Sequence, residues 1–197
     1  MDKVRFEQRC GADAKAYVNE LAKLRITVFR EFPYLYDGDL GYEKKYLDTY
    51  FRSEQSLVIL CFDDEVLVGA STCIPMSEEE ESFQRPFIEK GYEPNEILYF
   101  GESILLPQYR GTGIGKRFVF FREEHAKRLG KKLCVFCAVV RGEEDTRRPS
   151  TYRSPERLWN SQGFRKMAGV TTHYSWKQID ETGVSPKLMQ FWAKSLE

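Results

Sequence analysis

Apolar positions along the chain fall into short strand-length groups and longer groups at helical spacing. Residues 4–9 alternate as a short strand. From Asp13, which can cap a helix, Tyr17, Leu21, Leu24 and Val28 recur on one face as far as Arg30. Pro33 and Gly38 interrupt that run. Residues 43–52 repeat the helical spacing, with Tyr46, Leu47 and Tyr50 inward. Two apolar runs, 57–62 and 66–70, flank Asp63-Asp64-Glu65 and predict a hairpin. Residues 77–96 form an insertion that opens with the acidic run 78–81, expected to be a solvated helix start. A strand over 97–106, a helix around 118–126 and a strand over 132–140 follow, then a polar loop over 141–155. A final helix and strand end near Ile179, and residues 185–196 are expected to form a short amphipathic C-terminal helix. No repeat interrupts the series, which predicts one α/β domain over residues 1–197.

The junction between the strand at 97–106 and the next helix holds Gln108-Tyr109-Arg110-Gly111-Thr112-Gly113-Ile114-Gly115-Lys116. Strand, glycine turn and helix start together build an anion site. Glycines let backbone N–H groups converge, and a helix N-terminus adds partial positive charge. Two familiar phosphate patterns fail here. A P-loop needs glycine where Arg110 stands and a hydroxyl where Arg117 stands. A dinucleotide fingerprint needs a third glycine where Lys116 stands.

A third pattern, Arg/Gln-x-x-Gly-x-Gly/Ala, is met by Arg110, Gly113 and Gly115, and Leu106-Pro107-Gln108-Tyr109-Arg110-Gly111 supplies its flank. The chain thereby resembles the GNAT N-acetyltransferase superfamily. The hairpin at 57–70, the strand at 132–140 and Leu158-Trp159-Asn160-Ser161-Gln162-Gly163-Phe164 extend the resemblance over nearly the whole chain. Pro33-Tyr34-Leu35-Tyr36-Asp37-Gly38, Gly101-Glu102-Ser103 and Phe191-Trp192 resemble one branch of it, for which no acceptor is implied. The resemblance implies a mixed, mostly antiparallel sheet of six to seven strands flanked by helices, with strands four and five splayed. It also implies that acetyl-CoA binds. The backbone of Arg110, Gly111, Thr112, Gly113, Ile114 and Gly115 would meet the pyrophosphate, with Lys116 leaning on a phosphate. The strand backbone at Ile104, Leu105 and Leu106 would meet the pantetheine arm.

Glu102 is the candidate base, being a lone carboxylate on an otherwise apolar strand where burial would raise its pKa. Its alternative role is to hold a cationic acceptor or to bond the backbone. Trp159 stands where many relatives carry a tyrosine acid. Indole donates a hydrogen bond but is no useful acid, so Trp159 is expected to be a wall on the cofactor arm or core. His125 is expected to be a half-buried helical residue, and His173 to pack across strands or edge the acceptor pocket. Tyr34 and Tyr36 would present aromatic faces to an amine. The arginines of 141–157 would suit an anionic group, or lie in a solvated loop.

Composition adds exclusions. Thirty basic and 30 acidic residues balance, so no global field draws the chain to nucleic acid or an anionic membrane. No run is long and apolar enough for a transmembrane helix, and the first residues lack a signal peptide's apolar stretch. The five cysteines cannot all pair. Cys134 and Cys137 would face opposite sides of a strand, which favours free thiols in a reducing cytoplasm over a metal site. The expectation is an acetyl-CoA-dependent N-acetyltransferase acting on a small primary amine by direct attack, as monomer or homodimer. Protein lysine or N-terminal acetylation, and a non-catalytic acyl-CoA sensor, are the alternatives.

Overall fold

The computed structural model describes residues 4–196. Seven strands form one sheet in the order β1-β2-β3-β4-β5-β7-β6. They are β1 (Val4–Arg9), β2 (Leu57–Asp63), β3 (Val66–Pro75), β4 (Ile97–Leu105), β5 (Leu133–Val139), β6 (Arg165–Trp176) and β7 (Ser185–Ser195). Every neighbouring pair is antiparallel except β4 and β5. The helices are α1 (Val18–Phe29), α2 (Leu40–Arg52), α3 (Glu81–Ile88), α4 (Ile114–Arg128) and α5 (Glu156–Ser161).

Alternation along the central strands sorts the apolar residues into two cores. Ile97 and Tyr99 of β4 bury against Leu21 and Leu24 of α1, Leu47 and Tyr50 of α2, and Phe83 and Phe87 of α3. Leu98 and Phe100 bury on the opposite face against Ile114, Phe118 and Ala126 of α4, with Phe164. Cys134 and Cys137 fall on opposite faces, as strand geometry requires, and all five cysteines are free. Cys10 is exposed.

Three expectations are corrected. Residues 185–196 are not a helix: β7 inserts between β5 and β6 and pairs with both. Burial follows Lys187, Met189 and Phe191 in alternation, but the exposed Leu188 and the buried Trp192 on the other face are apolar too, so Leu188, Phe191 and Trp192 imitate helical spacing. The first helical segment begins as a 3-10 turn, Gly11–Tyr17, whose N-cap is Cys10 rather than Asp13. Helix α2 starts earlier than its apolar spacing suggests, because Asp39 caps it by accepting from the Tyr42 N–H at 2.8 Å.

Two features of β4 prepare the site. Among the described residues it pairs with β5 only from Ile97↔Leu133 to Tyr99↔Val135. Both strands continue, β4 to Leu105 and β5 to Val139, so a gap opens between them. Against β3, Ser103 faces Ser71 while Phe100 faces Cys73, which leaves one extra residue on β4. That bulge reverses the alternation. Strict alternation would place Glu102 with Leu98 and Phe100 on the α4 face; the bulge turns it to the α1–α2 face, where Ile104 also lies.

Candidate active site

The glycine turn adopts the conformation its sequence demands. Gly111 has φ +78° and Gly113 φ +93°, and a Cβ on either would meet nothing within 4 Å. Both backbones therefore border open space. Gly113 is the N-cap of α4, and the first turn of that helix holds no acidic residue. The Lys116 N–H already bonds back to the Gly113 carbonyl at 3.1 Å, so the N–H groups preceding it lie ahead of the helical ladder. Gly115 has another cause: its Cβ would stand 3.0 Å from Leu158 of α5. Its smallness lets two helices approach. Lys116 is exposed, and the neighbouring Arg117 lies over the rings of Phe6 and Phe121. Arg110 folds back along β4, donating to the Leu105 carbonyl at 3.1 Å and pairing with Glu31 at 2.7 Å.

The strand backbone narrows the set of groups facing the gap. The Leu106 N–H bonds to the Val68 carbonyl of β3 at 3.0 Å. In an antiparallel ladder Ile104 then also points to β3, and Leu105 points its N–H and C=O the other way. Of Ile104, Leu105 and Leu106, Leu105 is the one whose backbone faces the gap. Trp159 is half-buried on the α4 side, with its ring 4.8 Å from Phe136 and 5.1 Å from Trp192.

On the other face the bulge brings Glu102 into an aromatic cavity of about 100 Å³, room for several waters or one small organic group. Tyr34, Tyr36, Tyr42, Tyr46, Tyr50, Tyr99, Tyr174 and Trp176 line it. Tyr42 and Tyr174 join hydroxyls at 2.6 Å, linking α2 to β6. The Trp176 indole donates to the Tyr34 carbonyl at 2.9 Å, which fixes the 33–36 turn against the sheet. The Arg141 guanidinium donates to the Pro33 carbonyl at 2.7 Å, and Arg147 pairs with Asp145 and Asp180. Those two arginines thus brace the loops around the cavity.

Glu102 is not the isolated carboxylate that the sequence suggested. Arg25 Nη1 lies 2.5 Å from Glu102 Oε2, and the same guanidinium pairs with Glu43. Burial alone would lower the pKa of Arg25; Glu102, with Tyr46 and Glu43, more than reverses that and holds the cation charged. Arg25 also lies 4.0 Å above the Tyr46 ring. Glu102 Oε1 and Glu43 Oε1 remain buried without hydrogen-bond partners. Another carboxylate, Glu79, also lines the cavity. The acidic run 78–81 is therefore not wholly solvated: α3 begins at Glu81, and Glu79 turns inward. Its pKa is pushed from 4.5 to about 7, chiefly by burial and with repulsion from Glu80 and Glu102, against the opposing hydrogen bonds from the Glu80 N–H and the Tyr50 hydroxyl.

Sequence patterning missed Arg25, Glu43 and Glu79. Two carried a signal. Arg25 follows Leu21 by four positions, and Glu43 precedes Tyr46 and Leu47 by three and four, so both sit on predicted inward faces. The histidines take no part in the cavity. His125 is buried more deeply than expected and donates to the Gln55 carbonyl at 2.8 Å; His173 is exposed opposite Leu188. Among the described residues no cluster of three or more histidine, cysteine or acidic side chains is placed to hold a metal, and no helix is long and apolar enough to cross a membrane.

A splayed mixed sheet, a glycine turn opening a helix, and an acid-lined cavity across the gap define an acyltransferase-type scaffold. The model of the acetyltransferase (GNAT) family matches residues 21–148, and the chain belongs to that family. Solved structures share the fold over nearly their full length. yncA of Salmonella typhimurium, whose structure holds its cofactor acetyl-CoA, superposes with a TM-score of 0.61 at 13% identity, covering 100% of this chain and 95% of that one. An acetyltransferase from Streptococcus agalactiae gives 0.63 at 12% identity with 100% of both chains covered. A ribosomal-protein-alanine N-acetyltransferase from Brucella melitensis gives 0.62 at 15%, covering 96% and 99%. No curated protein matches the sequence.

Proposed function

We propose that the protein is an acetyl-CoA-dependent N-acetyltransferase whose acceptor is a small primary amine with an apolar or aromatic body. Acetyl-CoA supplies the acetyl group as a thioester: the amine lone pair forms the C–N bond, the C–S bond breaks, and its electron pair leaves on sulfur. The chain fits that co-substrate at two places. The open space over Gly111 and Gly113 leaves their backbones approachable by a pyrophosphate. Leu105 directs its N–H into the gap, where a peptide-like pantetheine arm could bond to it, while Trp159 borders the same side.

The observation that carries the acceptor reading is the cavity's charge. Arg25 is the cation in a lining that also holds Glu43, Glu79, Glu102 and, at its exposed edge, Glu80; it pairs with Glu43 and Glu102. Glu102 Oε1, buried and unpartnered, asks for a donor, and an ammonium group brings three. Aromatic walls suit the rest of the molecule. A carboxylate or phosphate on the acceptor would meet net negative charge.

Thiol release from acetyl-CoA tests the reading with phenethylamine, putrescine, phenylalanine and a lysine-bearing peptide. Release with the simple amines and little with phenylalanine is expected. Acetylation of the peptide alone would transfer the activity to protein substrates. Calorimetric binding of acetyl-CoA with no thiol released by any acceptor would make the chain a sensor.

A further inference from the structure

Three polar contacts run in series across the acceptor cavity. The Tyr46 hydroxyl lies 3.3 Å from Glu102 Oε2 and 3.1 Å from the Tyr50 hydroxyl, which in turn lies 3.4 Å from Glu79 Oε1. They are longer than resting O–H···O bonds, as catalytic contacts often are before substrate closes on them. Three such bonds need three hydrogens, and two phenols supply two. Both phenols keep their protons, because burial raises Tyr46 and Tyr50 well above the ordinary range. When all three close together, the third hydrogen comes from one end. Glu102 Oε2 already faces the Arg25 guanidinium, which leaves Glu79 as the donor end. If Glu79 is protonated, it donates to Tyr50, Tyr50 to Tyr46, and Tyr46 to Glu102. Every contact is then satisfied in one direction.

Resting on the N-acetyltransferase reading, we propose that Glu79 takes the proton of the incoming ammonium group, and that Glu102, paired with Arg25, holds that group in place. The charges acting on Glu79 agree. Glu80 on its own turn and Glu102 across the cavity are both negative. Tyr99 on β4 and Cys137 on β5 also face it, and burial keeps both neutral. With its pKa raised to about 7, Glu79 can accept and release a proton near neutrality. The protons balance. The first leaves the ammonium for Glu79 and gives the neutral amine. The second, shed from nitrogen as the C–N bond forms, matches the thiolate left when the C–S bond breaks. Glu79 then returns its proton to solvent.

Glu79→Gln is the decisive variant, because its amide can still donate to Tyr50 but cannot accept a proton. Phenethylamine and β,β-difluorophenethylamine serve as probes; the difluoro amine is much less basic and arrives largely neutral. At neutral pH, Glu79→Gln should lower kcat/KM for phenethylamine by about 100-fold, and by roughly tenfold less for the difluoro amine. Glu102→Gln should instead raise KM for both. Equal losses on the two amines, or no loss, would overturn the assignment. Infrared difference spectra give a readout that needs no acceptor. A carboxyl band titrating near pH 7 should appear in wild type, shift to lower pH in Glu102→Gln as the repulsion from Glu102 is lost, and be missing from Glu79→Gln. If wild type acetylates no amine, the enzymatic reading fails while the infrared band still decides Glu79. A band that persists in Glu79→Gln sinks the proposal.

Discussion

Gly101 is the position at which one added methyl group should do the most damage. It sits at the β4 bulge, and an ideal Cβ there would stand 1.9 Å from the Tyr50 hydroxyl, 2.7 Å from Thr72 Oγ1 and 2.8 Å from Tyr50 Cζ. Ordinary contact needs about 3.5 Å, so the Tyr50 hydroxyl must retreat by more than about 1 Å. Tyr50 is fully buried, and its hydroxyl can retreat only into the cavity it lines. Overpacking of this kind costs about 1–3 kcal/mol. For a chain of this length that lowers the melting temperature by roughly 2–12 °C. The retreat also pulls Tyr50 out of line with Tyr46 and Glu79, so turnover should fall further than stability alone explains.

A four-protein cycle isolates the cause. Tyr50→Phe removes the oxygen that makes the closest contact and leaves the ring carbon at 2.8 Å. Gly101→Ala should therefore cost less in the Tyr50→Phe background than in wild type, with a coupling of about 1 kcal/mol or more. Thermal melts by circular dichroism on wild type, both single variants and the double variant measure it. Additivity within about 0.5 kcal/mol would show that Tyr50 is not what the glycine accommodates.

Three further outcomes are expected. Gly113→Asp places a charged side chain over the open face of the turn at φ +93°, and acetyl-CoA heats of binding should vanish while the melt falls by roughly 2–8 °C from the strained backbone; unchanged affinity would remove the pyrophosphate assignment. Trp159→Ala should lose about 2–3 kcal/mol, below the cost of deleting a fully buried aromatic because this ring is half-buried, while Trp159→Phe keeps most of it; equal losses would mean the Phe136 and Trp192 contacts contribute little. Glu79 rises from 4.5 to about 7 on folding, so the native state binds its proton more tightly and stability is lost as pH rises through that window. Glu79→Gln removes that slope, and its melting advantage over wild type should grow between pH 5 and pH 8. The comparison cancels His125, whose pKa is lowered by burial and which acts in the opposite sense; a constant difference across the range would contradict the raised Glu79 pKa.

What could be read in the sequence was what a single element encodes. Gly111 and Gly113 had to be glycine because their φ values are positive, and a strand ahead of them and a helix behind them carry their own periodicities. That is enough to locate the anion turn. The opposite faces of Cys134 and Cys137 follow equally from strand geometry alone. The acceptor cavity depends on events between elements. The bulge at Gly101 and Glu102 changes which face Glu102 occupies, and nothing local in Gly-Glu-Ser states the register of β3 beside it. Glu79 belongs to a run whose other acids do face water, so only the turn before α3 distinguishes it. β7 misled because a lysine, Lys187, occupies its buried face while the apolar Leu188 lies exposed, so residue type does not follow the alternation of burial. Arg25 ties these together. It sits on a helix face that patterning marks as core, and it is tolerated there because Glu43 from α2 and Glu102 from the reversed strand meet it. A charge on a predicted core face is costly unless a partner waits. Such a residue therefore marks, from sequence alone, where a buried polar site should be sought, though not which element brings the partner.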